Sequence, residues 1–147
     1  MATTKNIMST VVWAQTFMHF QPLNIGGSEP AVTSANMTLQ TMLGEPFIWP
    51  WNRNTATFAL AEGDQDVTAT IPDFGFIEKA SIAPESGKHV ELTWKKSLSL
   101  DGSAPSRPAF ISTQSDDNDG DVEFRFSPPP NGAYTAIVTY QKAPIEI

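Results

Sequence analysis

Near residue 54 the apolar side chains stop recurring every three to four positions and begin recurring every second position, and this change decides what the chain can fold into. Beyond Phe47-Ile48-Trp49-Pro50-Trp51-Asn52-Arg53-Asn54 the alternation predicts short strands over 55–60, 67–71, 76–82, 90–94, 109–112, 122–126 and 133–140. Turn-forming residues separate them: Glu62-Gly63-Asp64, Pro72-Asp73, Ser86-Gly87, Asp101-Gly102, the run from Asp116 to Asp121, and Asn131-Gly132. Seven short strands at this spacing predict an antiparallel β-sandwich or small β-barrel. The 12 Pro and 9 Gly agree, being too many for a helical bundle and too few for a disordered linker.

The first part reads as helix. Ile7, Val11, Ala14 and Met18 share one helical stripe, and Trp13, Phe17 and Phe20 share its neighbour. Pro22 and Gly26-Gly27 end that helix. Ser28 can cap a second one, with Glu29 and Pro30 in its first turn, an apolar stripe through Val32, Ala35, Leu39 and Met42 or Leu43, and Gly44 and Pro46 to stop it. The expected fold class is therefore α+β, with a two-helix segment within residues 1–54 and a β domain over 55–147.

Charge divides at the same place. Residues 1–54 carry Lys5, Arg53, Glu29 and Glu45 and are neutral, so the net charge of −7 falls entirely on residues 55–147. A chain of this balance lacks the basic face that grips phosphate, although it can line a passage through which DNA slides. With no cysteine, disulfide frameworks, thiolate metal sites and cysteine nucleophiles are excluded. No stretch approaches the roughly 18 apolar residues of a membrane helix, and Asn6–Phe20 is too polar for a signal peptide, so the expectation is a chain made in a cytoplasm.

Catalytic patterns are missing. His19 and His89 lie 70 positions apart without a carboxylate or second histidine at ligand spacing, and they read as packing or surface residues. The chain contains no nucleophile elbow, phosphate-cradling loop or dinucleotide fingerprint, so neither enzyme activity, a metal nor a cofactor is expected. Ser115-Asp116-Asp117-Asn118-Asp119-Gly120-Asp121 is rich in hard oxygen ligands. Setting Asp119-Gly120 at the fifth and sixth positions of a calcium loop, however, places Phe126 at the twelfth, where a glutamate is needed. The run reads as a solvated hairpin loop.

Two features point to assembly. In Trp49-Pro50-Trp51-Asn52-Arg53, one indole is expected to bury in the domain and the other to reach outward, with Arg53 stacking on a ring or meeting an acid of an adjacent subunit. The helical segment, with Trp13, Phe17, Met18, Phe20, Met37 and Met42, has more apolar surface than it can bury alone, and suits a subunit interface. The candidate interface residues are Trp13, Phe17, Phe20, Met37, Met42, Trp49, Trp51 and Arg53. A sugar- or receptor-binding sandwich using Trp49, Trp51 or Trp94 is the competing expectation, because exposed indole faces stack on sugar rings.

The junction Pro46-Phe47-x-Trp49-x-Trp51-Asn52-Arg53, the strand Thr55-x-Thr57-Phe58, Gly63-x-Gln65-Asp66 and the stretch Ile71-Pro72-Asp73-Phe74-Gly75-Phe76-Ile77-Glu78-Lys79-Ala80 together resemble virion structural proteins of tailed bacteriophages. So do Arg107-Pro108-Ala109-Phe110-Ile111-Ser112, the Asp116-Asp117-Asn118 loop, Phe124-Arg125-Phe126-x-Pro128 and Thr139-Tyr140-Gln141-Lys142-x-Pro144. The N-terminal pattern, Pro22-Leu23-Asn24 followed by Ala35-Asn36-x-x-Leu39-Gln40, is similar to that of small head-to-tail connectors. The resemblance implies a non-enzymatic subunit of a homo-oligomeric ring at the neck, between portal and tail proteins, assembled in the host bacterial cytoplasm. It also implies a lumen through which DNA passes unbound. Asp116, Asp117, Asp119 and Asp121 are the acids expected to face such a lumen, where they would repel the phosphate backbone.

Overall fold

The computed structural model describes residues 29–100, 102–116 and 120–145. The chain divides into two compact units, one containing the helix and the other running from Glu45 to Ala143. The tryptophan junction thus belongs to the β unit, whereas the sequence assigned it to the helical segment.

One α-helix lies among the described residues, α1 (Glu29–Leu43). The first expected helix, with Trp13, Phe17 and Phe20, falls outside them. Along α1, Val32, Ala35 and Leu39 are half-buried and Leu43 is buried, which is the expected stripe with Leu43 rather than Met42 at its end. Thr38 and Thr41 turn their hydroxyls back onto the carbonyls of Ser34 and Met37, at 2.8 and 2.9 Å.

The β unit holds seven strands: β1 (Arg53–Leu60), β2 (Asp66–Thr70), β3 (Phe74–Pro84), β4 (Val90–Trp94), β5 (Phe110–Asp116), β6 (Asp121–Ser127) and β7 (Tyr134–Lys142). Each coincides with an expected strand to within a few residues. They form one sheet in the order β1-β7-β3-β4-β5-β6-β2, rolled into a nearly closed barrel. This resolves the choice between sandwich and barrel. It also corrects the expectation of an antiparallel sheet, because β4 and β5 pair in parallel and the sheet is mixed. A parallel pair cannot be joined by a hairpin; here residues 95–109 make the crossover.

Closure follows from connectivity and from the core. The two edge strands, β1 and β2, are consecutive and only five residues, 61–65, join them, so the sheet must bring its ends together there. Inside, Phe58 of β1 stacks on Phe124 of β6 at 5.3 Å between ring centroids, although those strands lie five places apart in the sheet. Phe74 meets Phe124 edge-on at 5.6 Å. Leu60, Ile82, Ile111, Val122, Phe126, Ala136 and Val138 complete an interior that excludes water.

Two close approaches explain glycines. Gly120, at φ +94°, precedes β6 with a backbone that an L side chain rarely adopts, and its carbonyl accepts the amide of Ile71 at 2.6 Å. Gly75 lies where β3 passes β7, so close that a Cβ would come within 2.6 Å of the Gln141 carbonyl oxygen.

Candidate functional site

The junction ahead of β1 is not extended. Pro50–Asn52 forms a 3-10 turn, closed by the amide of Asn52 donating to the carbonyl of Trp49 at 3.0 Å, with proline where a helical turn tolerates it. The turn brings the two indoles to one side, 6.1 Å apart between centroids and tilted by 37°. The expected split of one indole inward and one outward survives only as a difference in exposure, Trp49 being half-buried and Trp51 exposed.

This turn is clamped to the barrel wall. Gln141 points outward from β7, which lies between β1 and β3, yet is fully buried because the junction crosses over it. Its side-chain oxygen accepts the amide of Trp49 at 3.1 Å, and its nitrogen donates to Glu78 at 2.9 Å. Asn52, also buried, donates to the carbonyl of Lys142 at 2.9 Å. Arg53 grips Glu78 with two bonds, Nε to Oε2 at 2.7 Å and Nη2 to Oε1. Arg53 therefore pairs within its own chain, where the sequence led to the expectation of stacking on a ring or of an acid of an adjacent subunit. The Arg53 guanidinium bonded to it, aided by Gln141, holds the Glu78 carboxyl below its usual range, and the same bond raises Arg53.

A second bracket lies beside the first. The Tyr140 hydroxyl donates to Asp73 at 2.6 Å and accepts from Asn54 at 3.1 Å. Burial, then the neighbouring Asp73 carboxylate, pushes the phenol up to about 12. The junction is thus fixed to β7 through Gln141 and Lys142 and to β3 through Glu78, with Asn54, Tyr140 and Asp73 bonded beside it.

The clamped turn holds a strip of apolar side chains in solvent. Phe47 and Ile48 are 51% exposed and Trp51 is 65% exposed, while Trp49 is half-buried. These large apolar groups lie close together in the sequence and are exposed on the β unit. On α1, Met37 and Met42 are likewise exposed, at 64% and 45%. Trp94, at the end of β4, is 42% exposed.

The acidic candidates fall at the β5–β6 hairpin, where the sequence placed a hairpin loop. Asp116 ends β5, Asp121 begins β6 and accepts the Thr70 hydroxyl at 2.8 Å, and Asp117 and Asp119 lie outside the described residues. Across the described residues no group of His, Asp or Glu is arranged to hold a metal ion. His89 lies in the β3–β4 turn and lines a shallow groove of about 560 Å³ on the outer face of β1, β7, β3 and β4, together with Thr55, Lys79, Ser81, Glu91 and Thr139. Among the described residues no helix is long and apolar enough to cross a membrane.

Gln141, Glu78, Tyr140 and Asp73 escaped sequence reasoning. The one available signal was a glutamine following the run of apolar and hydroxyl-bearing residues Tyr134-Thr135-Ala136-Ile137-Val138-Thr139-Tyr140. No family of known proteins matches this chain, and no curated protein matches it.

Proposed function

We propose that this chain is a non-enzymatic virion subunit of a tailed bacteriophage. Copies associate into a ring at the head-to-tail neck, which continues the DNA channel from portal to tail. The observation that carries the assembling role is the exposed strip Phe47, Ile48 and Trp51, set beside a turn that is hydrogen-bonded to β7 and, through Arg53, to β3. A neighbouring subunit or neck protein covering it would remove from water the kind of surface that drives association. The phage reading rests on the resemblance of residues 46–144 to virion proteins. A net charge of −7 fits a lumen past which DNA moves without adhering.

Light scattering over a concentration series, with negative-stain images of the large species, tests the reading. Rings with an open centre are the expected result, and a monomer at every concentration would overturn it. The tilted pair Trp49–Trp51 favours one other reading, a carbohydrate- or receptor-binding module, since two indoles on one side form a platform for a sugar ring. Saturable quenching of tryptophan fluorescence by glycans would establish that module in place of the ring.

A further inference from the structure

We infer that the groove on the outer face of β1, β7, β3 and β4 binds an uncharged saccharide chain, at a site separate from the exposed indoles. The inference needs neither the ring nor the Trp49–Trp51 pair, and it gives the β unit a small-molecule ligand of its own.

Strand register builds the groove from two transverse rows of side chains. Thr55 of β1 pairs with Thr139 of β7, which pairs on its other side with Lys79 of β3. In the next outward row Ile137 of β7 pairs with Ser81 of β3, which pairs with Glu91 of β4. Ala136, Val138 and Tyr140 belong to the core, so Ile137 and Thr139, alternating with them, face outward. All six side chains line the groove, and His89, two positions before Glu91, joins them.

The polar groups of this surface are uncommitted. Among the described residues, the side chains of Thr55, Thr139, Lys79, Ser81, His89 and Glu91 have neither a hydrogen bond nor an ion pair. The neighbouring Glu78 differs, being held by Arg53 and Gln141. Thr139 is the telling case. It is only 7% exposed, yet its hydroxyl has no partner within the chain. Among the described residues no fully sealed side-chain oxygen lacks a partner, so this hydroxyl opens onto the groove that Thr139 lines. A hydroxyl so placed needs a bond from outside the chain. Lys79 and Glu91 lie diagonally on adjacent strands, within reach of each other, and still do not pair.

The donor set selects the ligand. One ammonium and one carboxylate cancel, so a phosphate drawn to Lys79 meets Glu91 and an amine drawn to Glu91 meets Lys79. A zwitterion would satisfy both charges but leave three hydroxyls idle. A polyol uses every group, since each of its hydroxyls can accept from the Lys79 ammonium or donate to the Glu91 carboxylate. Thr55, Thr139 and Ser81 both give and accept, and Ile137 offers an apolar surface to the C–H face of a sugar ring. A volume of about 560 Å³ lies in the ordinary range of small-molecule sites, and the shallowness of the groove suits a chain lying along it.

Isothermal titration of the full chain with maltotriose, cellotriose and chitotriose tests this. At least one is expected to bind saturably, with a Kd of about 1 mM or tighter. Thr139→Val, which keeps the shape and removes the hydroxyl, and Glu91→Gln are each expected to weaken binding roughly fivefold or more. Circular dichroism melts confirm that both remain folded, and Trp51→Ser should leave binding unchanged. Failure of all three sugars to bind at up to about 10 mM would overturn the inference. So would binding that survives both groove variants, binding that Trp51→Ser abolishes, or tighter binding of glycine or inorganic phosphate than of any sugar. The ring reading is decided separately, by light scattering, and stands or falls without this site.

Discussion

The side chain of Gln141 bridges the backbone amide of Trp49 and the carboxylate of Glu78, joining positions 92 residues apart in the chain. Through this one fully buried amide the tryptophan turn, the Arg53–Glu78 pair and β7 are joined. Trp49 and Asn52, which flank Trp51, are consequently tied to β7.

Removing the bridge costs stability. Gln141→Ala strips both partners of their bonds beneath the junction, and about 1–3 kcal/mol of unfolding free energy should be lost. Urea titration would register this as a lower midpoint at unchanged slope. A variant as stable as the wild type would show that the junction is not held from β7.

Acid should loosen the same clamp. Because Glu78 is held below its ordinary value of 4.5, its contribution is complete above about pH 4.5 and disappears as pH falls through the lower folded value. Glu78→Gln should be less stable at neutral pH and should lose less stability than the wild type between about pH 5 and pH 2. Urea midpoints measured across that range would reveal the difference.

Tyr140 behaves in the opposite sense. Its folded value of about 12 lies above the ordinary 10.0, so the stabilisation is complete below about pH 10 and is lost as pH rises through 12. Ultraviolet titration of phenolate should show a late phase that Tyr140→Phe abolishes, and the variant's stability should decline less steeply between pH 10 and 12.

Phe124 closes the barrel, meeting Phe58 from β1 and Phe74 from β3. Phe124→Ala leaves a cavity where three rings met and should cost about 3–5 kcal/mol, much of the stability of a domain this size. Loss of cooperative thermal unfolding would be the extreme form of the result.

Trp51→Ser separates folding from assembly. An indole that is 65% exposed contributes little to the fold, so the melting transition should change by less than about 0.5 kcal/mol. Assembly, in contrast, should weaken measurably in sedimentation. Unchanged assembly would remove the strip from the interface.

The sequence by itself determined where the strands lie. All seven were legible because alternation is a local property: successive side chains of a strand face opposite ways, and a half-buried strand must alternate. The helix Glu29–Leu43 was legible for the same reason, with its stripe and its stop signals within one stretch of chain. Tertiary structure alone decided how the strands pair. Nothing local to Val90–Trp94 or Phe110–Asp116 states that they run parallel, or that β1 and β2 close the ends of one sheet, because pairing depends on the whole set of competing partners. The site was decided in the same way. Arg53 and Glu78 are 25 positions apart and Gln141 a further 63, and only the rolled sheet, crossed by the Trp49–Asn52 turn, makes them neighbours.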